Sequence, residues 1–105
     1  MMYTIAETEV FNRYVSDYWT EEERADFAVW IAEHYDAGDI IPGSGGCRKV
    51  RWSRQGKGKS SGMRVIYYNL LEDGIIWLLL IYAKNRNENI PAHLLKAIKE
   101  KIACQ

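Results

Sequence analysis

MRVIYYNLLEDGIIWLLLIYA, residues Met63–Ala83, is the stretch on which the fold turns. Asp73-Gly74 stands between two β-patterned runs, a strong hairpin signal because glycine accepts the left-handed backbone a tight turn needs. Met63 to Leu71 therefore reads as one strand that turns antiparallel into a second over Ile75 to Ala83. The second run is apolar on both faces, as a central strand covered on both sides must be. It is about half the ~20 residues of a membrane-spanning helix, so a strand is the better reading.

Upstream, Cys47 to Ser53 also alternates with period two and reads as a strand, joined to Met63 by the flexible segment Arg54 to Gly62. Pro42-Gly43-Ser44-Gly45-Gly46 is a loop by composition. Before it the period is helical. Phe11, Tyr14, Val15 and Tyr18 form one stripe behind Thr8 as N-cap, and Phe27, Trp30, Ile31 and His34 form another. Thr20 and Glu23 have the spacing of a capping box, and Gly38 offers a C-cap. Met2 to Ala6 reads as a short strand. Downstream, Asn85 to Asn89 is a polar loop, and Pro91 opens a closing helix with Leu94, Leu95, Ile98 and Ile102 on one side. The expected order is β-α-α-β-β-β-α. That is an α+β fold, a small, mostly antiparallel sheet packed with an N-terminal helical hairpin and a C-terminal helix. At 105 residues, 1–105 reads as one domain.

Charge is sorted along this chain, which is formally neutral with 14 basic and 14 acidic residues. Residues 1–42 carry ten acids against two bases. Residues 43–69 carry seven bases and no acid. A neutral total argues against a nucleic-acid partner, but a local basic field attracts phosphates whatever the total is. Alternation places Lys49 and Arg51 on one face of their strand, opposite Val50 and Trp52, and gathers Arg64, Ile66 and Tyr68 on one face of the next. The hairpin brings Arg64 and Lys84 to one end of the sheet, under the loop that carries Lys57 and Lys59. Such a patch suits a phosphodiester backbone.

Other chemistries fit less well. Gly58-Lys59-Ser60 ends like a P-loop, but Ser53 stands where the first glycine belongs and a β-patterned segment follows where a helix is required. Cys47 and Cys104 lie far apart with no paired His or Cys spacing, which reads as two free thiols and not a zinc site. The basic stretch contains no carboxylate and so no metal ligands. His34 and His93 both lie in helical patterns. The first eight residues lack a signal peptide's basic and apolar regions, so a cytoplasmic protein is expected. RNA carries its own nucleophile, the 2′-OH. A site that orients it and stabilises charge on the transition state can cleave without a metal. A lysine crowded by other cations has its pKa lowered, so more of it is neutral and able to act as a base.

Three blocks carry a family resemblance: Gly45-Gly46-Cys47-Arg48-Lys49-Val50-Arg51, then Gly56 to Tyr68 (GKGKSSGMRVIYY), then Leu80-Ile81-Tyr82-Ala83-Lys84-Asn85. The chain resembles the RelE/ParE superfamily of toxins over nearly its whole length, and within it the HigB-like branch of type II toxin–antitoxin systems. The resemblance implies a ribosome-dependent mRNA endonuclease, needing no cofactor and held inactive by a HigA-like antitoxin. It further implies catalytic roles for Arg64, Lys49, Arg51, Lys59 and Lys84. Arg48, Arg54, Lys57 and Arg86 would add RNA contacts, and Tyr68, Tyr82 or His93 would supply base stacking. The tyrosine that some RelE members place at the start of the final helix is absent from Asn89-Ile90-Pro91-Ala92-His93. ParE-type relatives share the fold and poison DNA gyrase. A gyrase poison, or a non-catalytic RNA- or ribosome-binding module, is therefore the alternative.

Overall fold

The structure is a computed structural model that describes residues 3–53, 62–83 and 90–103. Its centre is the expected hairpin. β4 (Met63–Leu70) leads through a 3-10 turn at Leu71–Asp73 to Gly74, whose φ of 70° closes the turn, and β5 (Ile75–Ala83) returns antiparallel. β3 (Arg48–Trp52) pairs antiparallel with β4 on its other side. β1 (Thr4–Glu7) lies parallel to β5, and β2 (Asp39–Ile40), just before the loop at residues 42–46 and not read as a strand from the sequence, pairs with the start of β3. The strand order is β1-β5-β4-β3-β2.

Helices cover both faces, which is why β5 is apolar throughout. α1 (Glu9–Val15) and α2 (Glu21–Glu33) bury Phe11, Val15, Phe27 and Ile31 against Val50, Val65, Tyr67, Ile76 and Leu78. α3 (Ala92–Ala103) packs Leu95, Ile98 and Ile102 on the other face, against Cys47, Ile66, Leu79 and Tyr82. Leu94, expected on the buried side, is 49% exposed and takes no part in the cluster that Leu95, Ile98 and Ile102 form with the sheet. Phe27 sits among three tryptophans, with ring centroids 5.2 Å from Trp19, 5.4 Å from Trp52 and 6.1 Å from Trp30.

The caps read from the sequence are present at both helix starts. The Thr8 hydroxyl accepts from the Phe11 N–H at 3.0 Å. Thr20 accepts from the Glu23 N–H at 3.1 Å, and the Glu23 carboxylate accepts from the Thr20 N–H at 2.9 Å. Gly38 does not cap α2: the helix ends at Glu33 with His34 as C-cap, its ring stacked on Trp30 at 4.9 Å. Gly38 instead lies where there is no room for a side chain. An added Cβ would stand 2.8 Å from the Tyr67 hydroxyl and 2.9 Å from the Lys49 carbonyl oxygen. The Tyr67 hydroxyl accepts from the Gly38 N–H at 2.9 Å and donates to the Tyr35 carbonyl at 2.8 Å, anchoring the segment after α2 to β4.

One irregularity in β5 decides which face Tyr82 occupies. Ile66 pairs with Leu80 and Tyr67 with Leu78, leaving Leu79 as an extra residue, a β-bulge. Beyond it the two faces exchange places: Ile76 and Leu78 face the helical hairpin before the bulge, Ile81 and Ala83 after it. Tyr82 is thereby delivered to the α3 face. Thr8 holds the bulge, its N–H donating to the Leu78 carbonyl at 3.1 Å and its hydroxyl to the Leu79 carbonyl at 2.8 Å. One side chain thus caps α1 and fixes the bulge. Thr8→Val keeps the shape and removes both side-chain bonds, and it should lower stability by about 1–2 kcal/mol in chemical denaturation.

Candidate nucleic-acid interface

Alternation along β3 turns Val50 and Trp52 into the hairpin core, so Lys49 and Arg51 point to the opposite, α3 side of the sheet. On β4 the same rule puts Met63, Val65 and Tyr67 in the hairpin core and Arg64, Ile66 and Tyr68 on the α3 side. Register then joins the strands. Arg51 lies directly opposite Arg64, and Arg64 directly opposite Tyr82, forming one row across β3, β4 and β5. The next row is Lys49, Ile66 and Leu80. Facing residues in such a ladder have Cβ atoms about 5 Å apart, where two like charges repel. A sheet built only for stability would not oppose two arginines.

Between described residues neither arginine forms an ion pair. Arg24 is ion-paired with Glu7 and with Glu21. Arg51 is exposed and Arg64 half-buried. Among the described residues the buried Nη1 atom of Arg64 has no hydrogen-bond partner, a costly arrangement for a cationic donor. Gly62 makes the crowding at Arg51 possible, since a Cβ there would stand 3.1–3.3 Å from the Arg51 Nε, Cγ and Cδ atoms. On its outer side Arg51 opens into a groove of about 760 Å³ shared with Trp52 and Ser53 and with Asp26, Trp30 and Glu33 of α2. Asp39, the acid nearest in register, faces Lys49 across β2 and forms no ion pair with it.

The structure thus brings Lys49, Arg51, Arg64, Tyr68 and Tyr82 to one side of the sheet. It sets Arg48 apart. That side chain shares the Val50 and Trp52 face, and its guanidinium donates to the carbonyls of Gly38 at 2.7 Å and Asp36 at 3.3 Å. Arg48 therefore tethers the segment after α2, and alternation counted from Lys49 already separates it from the cluster. The expected positions of Arg54, Lys57, Lys59, Lys84 and Arg86 lie outside the described residues, as does Cys104. Ala83, just before Lys84, pairs with Met63 at the Arg64 end of β4.

Neither tyrosine offers an open stacking face. Tyr82 is 8% exposed in the α3 core. The Lys99 ammonium lies over the Tyr68 ring, 5.4 Å from its centroid, and a Cβ on Gly46 would touch the ring edge at 3.4 Å. His93, in the first turn of α3, is exposed. Lys99 and its helical neighbour Lys96 escaped the reading of the sequence. Their three-residue spacing on the flank of the Leu95–Ile98–Ile102 face was the available signal.

Cys47 is a free, buried thiol between the Ser44 carbonyl at 3.6 Å and the Leu95 carbonyl at 3.8 Å. Burial pushes it above the usual thiol range, which suits packing and not nucleophilic attack. Among the described residues no three His, Cys, Asp or Glu side chains gather as metal ligands would, and no helix is long and apolar enough to cross a membrane.

No family model matches the sequence. Among solved structures the chain is similar to a double arginine-to-alanine mutant of the E. coli toxin RelE in the free state. The TM-score is 0.58 at 17% identity, over 94% of this chain and 98% of that one. The fold is RelE-like.

Proposed function

We propose that this protein is the toxin of a type II toxin–antitoxin pair, a HigB-like mRNA endonuclease that cuts transcripts on translating ribosomes in the cytoplasm. The observation that carries the reading is the Arg51–Arg64–Tyr82 row, with a buried Arg64 donor lacking a partner among the described residues, in a RelE-like fold. A phosphate oxygen is the natural acceptor for that donor. Arg64 then gains most when negative charge builds on the phosphorane-like transition state, the condition for catalysis by differential binding. Arg51 and Lys84 share the phosphate charge, and Lys49 or Lys59 assists the proton transfers: one proton taken from the 2′-OH, one given to the departing 5′ oxygen. The products are a 2′,3′-cyclic phosphate and a 5′-hydroxyl. The protein would act with mRNA and the ribosome, and a HigA-like antitoxin would silence it.

The product ends test this. RNA cut in a translating system should ligate at its new 5′ end only after kinase treatment. A transcript with a 2′-deoxynucleotide at the cut position should stay whole there. Cleavage of the deoxy transcript, or 5′-phosphate ends, would refute 2′-OH attack.

A further inference from the structure

The cationic side of the sheet does not end at the arginine row. Along β3, Arg51 and Lys49 point the same way, and the chain leading into that strand passes through Gly45 and Gly46. Both glycines have positive φ, 79° and 105°, and both stand where α3 meets the sheet. A Cβ on Gly45 would be 3.4 Å from Lys96 Cγ and 3.4 Å from the Cδ and Nζ of Lys99. The two α3 lysines therefore lean over the start of β3, on its Lys49 and Arg51 side. Lys99 is fixed there by the Tyr68 ring. Among the described residues neither lysine has a carboxylate within ion-pair distance. Tyr68 is four residues beyond Arg64 on the same side of β4, about 13 Å away at the rise of a strand. Four cations on two elements thus line one track, Arg51 and Lys49 at one end, Lys99 and Lys96 at the other.

We infer that Lys96 and Lys99 form a second phosphate-binding subsite for single-stranded RNA. It engages backbone phosphates displaced from the one held at Arg64. This rests on the proposed nucleic-acid face and extends it. Phosphate contacts of this kind set register on the strand and carry no base preference, so the subsite would hold the RNA in line for cleavage whatever its sequence.

The test uses the isolated protein and fluorescent all-deoxy oligonucleotides of two and six nucleotides, which cannot be cleaved by 2′-OH attack. Wild type should bind the six-mer more tightly, with affinity falling steeply with salt. In Lys96→Gln/Lys99→Gln, the gain from two to six nucleotides should shrink by about 3- to 10-fold, and the salt slope should fall by about 1.4, for two fewer neutralised phosphates. The double arginine variant, Lys96→Arg/Lys99→Arg, should recover both. A wild-type slope and length dependence in the Gln variant, with Arg64→Ala weakened at both lengths, would overturn the second subsite and leave the proposed face standing. Failure of wild type to bind either oligonucleotide at low salt would overturn both.

Discussion

Arg64→Ala is expected to remain folded and to lose cleavage by about 100- to 1000-fold, the usual effect of removing one preorganised donor from a developing oxyanion. The loss should appear in the rate with ribosome and mRNA saturating, because the donor gains most in the transition state. Stability should hold or rise. Arg64 opposes Arg51 directly, and its buried Nη1 atom has no partner among the described residues, so the native state carries repulsion and desolvation that alanine removes. Arg64→Lys keeps the charge and loses the planar fork, and it should recover only part of the rate. Two measurements check this: single-turnover cleavage on programmed ribosomes, and thermal melting of each variant. An alanine variant that melts like wild type and also cleaves like wild type would remove Arg64 from the chemistry.

The second large effect concerns the scaffold. Phe27→Ala should destabilise the protein by about 3–5 kcal/mol, a sizeable share of what holds a domain of this size together. Phe27 is fully buried, and its ring meets Trp19, Trp30 and Trp52, so it ties α2 to the end of β3. The cavity would open beneath Trp52, the neighbour of Arg51. Circular dichroism should record a melting temperature lower by at least about 12 °C. Phe27→Leu, which leaves a smaller cavity, should lose less. A shift of only a few degrees for Phe27→Ala would mean that the aromatic cluster is not the joint between helix and sheet.

Local chemistry made much of the architecture legible. Asp73-Gly74 gave the hairpin, Thr8 and Thr20 gave both helix starts, and a run apolar on both faces gave a strand covered on both sides. These features are written in neighbouring residues. What escaped depends on partners distant in sequence. The parallel pairing of β1 with β5 needs a crossover that no local pattern announces. β2 is two residues long, too short to show a period. The bulge at Leu79 is hidden because Leu78, Leu79 and Leu80 are the same residue. Strict alternation from Trp77 would have sent Tyr82 to the wrong face.

The candidate site divides in the same way. Its strand-borne members, Lys49, Arg51 and Arg64, follow from alternation and hairpin pairing. That Tyr68 and Tyr82 are covered, and that Lys96 and Lys99 border the cationic track, depends on how α3 docks, a long-range packing result. Arg48 lies one residue from Lys49 yet serves structure, because its guanidinium reaches the carbonyls of Asp36 and Gly38.

The most direct measurement is primer extension on a reporter mRNA in a purified translation system, with the protein added, with and without ribosomes. The account predicts new 5′ ends within codons, appearing only when ribosomes translate and disappearing with Arg64→Ala. Intact mRNA in an actively translating reaction would contradict it, and so would the same ends without ribosomes.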